Sequence, residues 1–391
     1  MRLSSDDSHH FEILRIIGHS YYGGADVQEC LQVAAALIPG DDESWYQEWH
    51  ALAERVQATA GASLARGHRR SASKAFLRAA SYHLIADFYL HGNSDDPRIL
   101  ASNRASRYCF MAAAEGLDYD IVRVEIPFEA TTLPAYVVKR PGLVGRRPTL
   151  VCHSGFDGTK EEIAIFPGMA AAERGYVVIV FEGPGQGEVV REKRLMFRPD
   201  WQNVVSPIID YAISRDDVDA SKIALMGISL GGVLAPIAAA HEHRLRALIC
   251  NGGLYSFHEI VRARYPEELP DEEVLRVQLR EAMKTNTVLR WSSNHGRYVF
   301  GYASLHDYFE RIKPFEASSA DQIRCATLVL DAEHEGFFAG QPQKLYDRLT
   351  CSKTFMNFTV AEAAGAHCQA GAEGIGGQKI FDWLDETMQV T

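Results

Sequence analysis

Two hydrophobic periodicities divide this chain. Over about the first 120 residues, apolar positions recur at helical spacing. Trp45, Trp49, Leu52 and Val56 form one stripe; Phe76, Ala79, Ala80 and His83, continued by Leu84 and Phe88, form another. The run Gly92-Asn93-Ser94-Asp95-Asp96-Pro97 interrupts this pattern as a loop. Near Tyr119 the texture changes, and short strand-like runs alternate with helical ones. The predicted strands are Ile121–Phe128, Leu133–Lys139, Thr149–His153, Tyr176–Phe181, Lys222–Gly227, Leu245–Asn251, Ala326–Asp331 and Thr354–Val360. The first two can pair as a hairpin. The others are separated by helices, which implies an α/β architecture with a mainly parallel eight-stranded sheet covered on both faces. The gap from Gly252 to Ser319 is too long for a simple connection and reads as an inserted lid. The expected organisation is an N-terminal helical domain, 1–120, and a catalytic domain, 121–391, with the lid at 254–319. Functional groups belong at the C-terminal ends of the parallel strands.

Composition narrows the partners. With 391 residues, 47% of them hydrophobic, the chain can bury a sizeable core. A formal charge of −11 disfavours nucleic acid and anionic membranes, so a small-molecule substrate is the expected partner. No apolar stretch approaches the length of a transmembrane helix, and the first residues lack the apolar core of a signal peptide. The 7 cysteines include no close pair, which suggests reduced thiols and a cytoplasmic location. No C-x-x-C or H-E-x-x-H pattern points to a metal, and no cofactor is called for.

The most informative motif is Gly227-Ile228-Ser229-Leu230-Gly231, between the apolar run Ile223–Met226 and an alanine-rich helical run. A strand, a sharp turn and a helix in that order hold a serine hydroxyl clear of the sheet, and the flanking glycines relieve the crowding. The Leu230 N–H then lies at a helix N-terminus, placed to stabilise an oxyanion. A serine nucleophile needs a base, and the base needs an acid to orient it. Among the 15 histidines, His367 follows the last strand, where the base is expected. The acid comes from the run Asp331-Ala332-Glu333-His334-Glu335, with Glu333 and Glu335 both in its loop. The loop His153-Ser154-Gly155-Phe156-Asp157-Gly158 offers the Phe156 N–H as a second oxyanion donor, and His153 and Asp157 as substrate contacts or loop-shaping residues. Phe181-Glu182-Gly183-Pro184-Gly185-Gln186-Gly187 lacks phosphate-loop spacing and reads as a rigid loop near the site mouth.

Together these segments resemble an α/β-hydrolase family that includes bacterial 2,6-dihydroxypseudooxynicotine hydrolase and fungal polyketide-shortening hydrolases of naphthopyrone pigment pathways. The resemblance spans nearly the whole chain. It takes in Gly18–Asp26, Ser71–Arg98, Gly155–Glu162, Phe181–Gly187, Phe197-Arg198-Pro199-Asp200-Trp201, the serine motif and Gly365-Ala366-His367-Cys368-Gln369. It implies an α/β-hydrolase fold, an N-terminal helical region that helps cover the site, and a homodimer. In the family's acid loop, D-A-E-x-D followed by aromatics, the last acidic place is filled here by Glu335, which makes Glu335 the expected acid. The resemblance further implies C–C bond hydrolysis of a 1,3-dicarbonyl, polyketide-like or aromatic ketone. Ester, lactone, thioester or peptide hydrolysis and acyl transfer use the same triad, and a non-catalytic small-ligand receptor is the alternative from another class. Tyr22, Tyr82 and Tyr255, from the aromatic-rich covering segments, are the expected substrate contacts, and residues of both segments are expected to reach a ligand on Ser229.

Overall fold

The computed structural model describes residues 2–267 and 270–390. It divides into two compact units: Met1–Asp120 with Pro270–Leu305, and Ile121–Leu269 with His306–Thr391.

The first unit is helical. Its helices run Asp7–Gly18, Val27–Ala36, Asp42–Ala65, Arg69–Ala86 and Pro97–Ala114. Several begin on an aspartate whose carboxylate accepts a free first-turn N–H, as Asp41 does from Ser44. Pro97 starts its helix behind Asp96, where the missing N–H costs nothing. The stripe Trp45, Trp49, Leu52 and Val56 is buried, and the Trp45 indole N–H donates to the Ile85 carbonyl at 2.8 Å. Helix Thr287–Phe300 belongs to this same unit. Trp291 stacks on Phe88 with ring centroids 4.9 Å apart, and the Arg290 guanidinium pairs with Asp42. The segment expected as a single lid, 254–319, is therefore divided. Residues 270–305 pack with the N-terminal helices, and the flanking stretches stay with the sheet.

The second unit is an eight-stranded sheet of β1 (Asp120–Phe128), β2 (Thr131–Lys139), β3 (Arg147–His153), β4 (Val177–Phe181), β5 (Val218–Ile228), β6 (Ala247–Asn251), β7 (Ala326–Ala332) and β8 (Lys353–Phe358). The order is β1-β2-β4-β3-β5-β6-β7-β8. β2 pairs antiparallel with β4, and every pairing from β4–β3 through β7–β8 is parallel. β4 and β6 are buried along their whole length, as strands covered on both faces must be. β5 begins four residues earlier than its apolar pattern predicts. Its polar first turn, Asp219–Lys222, continues the strand beyond the covered part of the sheet. Among the described residues no helix is long and apolar enough to cross a membrane.

Candidate active site

Ser229 lies between β5 and helix Gly231–Ala239, with φ of 59°, a left-handed conformation that a residue bearing a Cβ rarely adopts. Its neighbours explain how this is tolerated. A Cβ on Gly227 would fall 2.1 Å from the Gly231 carbonyl oxygen, and one on Gly232 would fall 2.2 Å from that of Gly252. The turn closes only because these positions lack side chains. The Ser229 N–H donates to the Asn251 carbonyl at 2.8 Å, which ties the turn to the end of β6.

His367 and Glu335 arrive on neighbouring loops. β7 and β8 run parallel to the pair Ala332 and Phe358, and the pairing then continues past the strands: Glu333 N–H donates to Phe358 and His334 N–H to Gly365. That second link aligns the two loops. His367 Nδ1 lies 2.6 Å from Glu335 Oε2, and its Nε2 lies 3.0 Å from Ser229 Oγ. The other Glu335 oxygen, Oε1, accepts the N–H groups of Phe337 and Phe338 at 2.9 and 3.1 Å. The rings of these two phenylalanines meet the imidazole edge-on, each 5.0 Å between centroids. Burial works against charge on His367, but Cys368 and the Glu335 carboxylate outweigh it and raise its pKa well above 6.5. Burial also works against the Glu335 carboxylate; His367 and the two backbone N–H groups outweigh it and lower its pKa. Glu333, by contrast, is exposed and spends Oε2 on the Val360 N–H at 2.6 Å.

The loop after β3 meets the serine turn backbone to backbone. A Cβ on Gly155 would lie 2.4 Å from the Leu230 nitrogen and 2.5 Å from the Ile228 oxygen, so only glycine allows this approach. Phe156 follows directly. The N–H of Leu230 has no acceptor among the described residues, at the start of helix Gly231–Ala239.

Several curated proteins resemble this chain over nearly its whole length, three of them as follows. Hydrolase LUC6 of a Fusarium species is 32% identical, covering 97% of this chain and 96% of its own. The 20-hydroxy-prefusarin hydrolase FUS2 of Gibberella moniliformis is 31% identical over 100% and 98%. Hydrolase acrC of Aspergillus aculeatus is 32% identical over 98% and 97%. The chain belongs to this α/β-hydrolase family. It is accordingly an enzyme of the hydrolase class. The prolyl oligopeptidase family also matches, over residues 165–273. Among solved structures, 2,6-dihydroxy-pseudo-oxynicotine hydrolase shares the fold with a TM-score of 0.75, at 22% identity and 95% coverage of both chains. AbyA5 follows at 0.63, with 18% identity and coverage of 94% and 95%.

Within this α/β-hydrolase, several expected substrate contacts have other occupations. His153 is fully buried. Trp201 Nε1 can only donate, so His153 Nε2 accepts from it at 3.3 Å, and the protonated Nδ1 donates to the Ser154 carbonyl at 2.8 Å. Burial pushes its pKa down to about 4, which keeps this tautomer neutral. His153 thus braces the loop and is closed to substrate. Tyr82 is buried in the helical unit, donating to Glu29 at 2.7 Å and accepting the Asp26 N–H at 2.8 Å; it is a packing residue. Tyr255 donates to Glu316 at 3.2 Å, beneath the cations of Lys344 and Arg348. Tyr22 meets Tyr21 edge-on, and Asp157 stands half-buried in the loop after β3. For a metal, His50, Glu54 and His83 place ligand-type atoms within 4.8 Å of one another, but Gln57 already engages His83 Nε2 at 2.8 Å.

Sequence reasoning passed over three features beside the site. Cys368 has φ of 52°, and its thiol lies 3.2 Å from His367 Nε2 and donates to the Asn251 carbonyl at 3.4 Å. Gln186, in the loop after β4, reaches the loop after β3. The third is an ion cluster in which the fully buried Lys160 ammonium contacts Glu161, Glu182 and Glu188 at 3.0 to 3.2 Å. Glu182 also accepts the N–H groups of Lys160 and Glu188, so the cluster clamps both loops at their bases. Lys160→Met would leave three carboxylates around an uncharged side chain. It is expected to lower stability by about 3–5 kcal/mol, read as the shift in denaturant midpoint at constant slope. A change below about 1 kcal/mol would show that the cluster does not hold the loops.

Proposed function

We propose that Ser229 is the nucleophile, His367 the general base and Glu335 the acid that orients it, in hydrolysis of a C–C bond beside a ketone. The observation that carries this reading is the unbroken line from Glu335 Oε2 through His367 to Ser229 Oγ at a left-handed turn. Ser229 Oγ passes its proton to His367 Nε2 and attacks one carbonyl carbon of a 1,3-dicarbonyl group. The oxyanion is held by the N–H groups of Leu230 and Phe156. Collapse breaks the bond to the carbon between the two carbonyls, and that carbon leaves as an enolate. The enolate takes the proton from the His367 imidazolium, which leaves an acyl group on Ser229. His367 then removes a proton from water, the hydroxide displaces the acyl group as a carboxylic acid, and Ser229 recovers its proton. The substrate class is supported by the resemblance to polyketide-shortening hydrolases and by the relative named for 20-hydroxy-prefusarin.

Ester, thioester and lactone cleavage would use the same atoms up to the leaving group, and isotopes separate the two readings. A panel of aryl 1,3-diketones dialkylated between the carbonyls, so that no proton there exchanges with solvent, and matched esters is incubated in D2O or in 18O-labelled water and analysed by mass spectrometry. The C–C reading expects one 18O in the acid and one deuterium on carbon in the released ketone. Turnover confined to the esters, with no deuterium delivered to carbon, would replace it with an esterase.

A further inference from the structure

We propose that Gln186 is a positioning residue that sets the oxyanion site, by holding the peptide unit between Gly155 and Phe156. This rests on the reading above, in which the Phe156 N–H is an oxyanion donor. A peptide is planar, so the carbonyl of Gly155 and the N–H of Phe156 point in fixed, opposite directions. Whatever fixes that carbonyl aims that N–H.

Gln186 is fully buried at the end of the loop after β4, just before helix Gly187–Lys193. Its amide has one orientation. Oε1 accepts the Gly183 N–H at 2.9 Å, which turns Nε2 toward the loop after β3. There Nε2 donates to the Ser154 carbonyl at 2.7 Å and to the Gly155 carbonyl at 3.3 Å. The Ser154 carbonyl also takes the His153 Nδ1 proton, and the Ser154 hydroxyl donates to the Gly158 carbonyl at 2.6 Å. Two successive carbonyls are thereby drawn toward the loop after β4, on the opposite side of the backbone from the Phe156 N–H. The small residues around Gln186 fit this task. Gly187 has φ of 36°, and a Cβ there would lie 1.8 Å from a Glu182 carboxylate oxygen; a Cβ on Gly183 would lie 2.5 Å from the Trp201 ring. The loop is built tightly enough for its glutamine to hold one rotamer. Preorganised donors act without reorganising as charge develops, so a loosened peptide costs rate more than substrate binding.

The test compares wild type, Gln186→Met and Gln186→Glu. Methionine keeps the volume and removes both donors; glutamate keeps the shape and turns an acceptor toward the two carbonyls. The probes are p-nitrophenyl acetate for turnover, trifluoroacetophenone as an oxyanion-forming inhibitor and acetophenone as its ground-state counterpart. For either variant that keeps the wild-type melting temperature, kcat is expected to fall about 10- to 100-fold, less than or comparable to loss of a direct donor. KM and acetophenone affinity should stay within about threefold, while trifluoroacetophenone affinity falls in step with kcat/KM. Unchanged kcat and trifluoroacetophenone affinity would overturn the proposal. So would equal losses for both ketones, since they would mark a packing defect. Failure of the underlying reading looks different: a Ser229→Ala protein would still turn over the ester.

Discussion

Ser229→Ala is expected to reduce turnover by a factor on the order of 10³ or more while leaving the fold intact. The size of the effect follows from the chemistry. Without the hydroxyl no acyl-enzyme can form, and what remains is polarisation of the carbonyl and whatever direct attack by water His367 can assist. The expectation of an intact fold follows from the turn. Alanine keeps the Cβ that already sits at φ of 59°, so no new backbone strain is added. The link from the residue 229 N–H to the Asn251 carbonyl survives, because it involves backbone only. A fluorophosphonate should label the wild type at Ser229 and leave the alanine variant unmodified. A wild-type protein that is folded yet refuses the label would show that Ser229 is not an activated nucleophile; a variant with near-normal turnover would remove Ser229 from the mechanism.

The sheet was legible in the sequence for a definite reason. β3 to β7 are covered on both faces, so they appear as short apolar runs bounded by polar turns. The serine turn was legible because its backbone forbids side chains at set positions, and a glycine requirement leaves a mark in the sequence. The division of 254–319 left no such mark. The helix carrying Trp291 is amphipathic wherever it packs; contacts some 200 residues or more away in sequence, the Phe88 ring and the Asp42 carboxylate among them, decide which core it joins.

The same contrast holds at the site. His153, Tyr82 and Tyr255 had the right residue types for substrate contacts, yet each spends its polar atoms on a neighbour. Residue type shows what a side chain can do, and the partner decides what it does. Gln186 was read as part of a rigid loop. Its action runs through the Ser154 and Gly155 carbonyls of a different loop, and no spacing in the chain records that meeting.

Glu335→Gln should be nearly as damaging as loss of the nucleophile, and the geometry gives the reason. The two N–H groups of Phe337 and Phe338 demand an acceptor, so they will hold the new amide oxygen where Oε1 now sits. The amide NH2 is then turned toward His367 Nδ1. Nδ1 must accept, and the imidazole proton moves to Nε2, facing Ser229 Oγ as a donor. A base already protonated at the reacting nitrogen cannot take the serine proton, and a fall of about 10³–10⁴ in kcat is expected, as for acid-to-amide changes in other triads. The pH dependence supplies an independent check. In the wild type the pKa of His367 is raised, and the base works only when neutral, so activity is lost as pH falls through a midpoint above about 6.5. Without the Glu335 charge that midpoint should move to lower pH. Glu333→Gln keeps an oxygen for the Val360 N–H on an exposed side chain, and its turnover should stay within about twofold of wild type. If the larger loss and the shifted midpoint belong instead to the Glu333 variant, the acid of this site is Glu333.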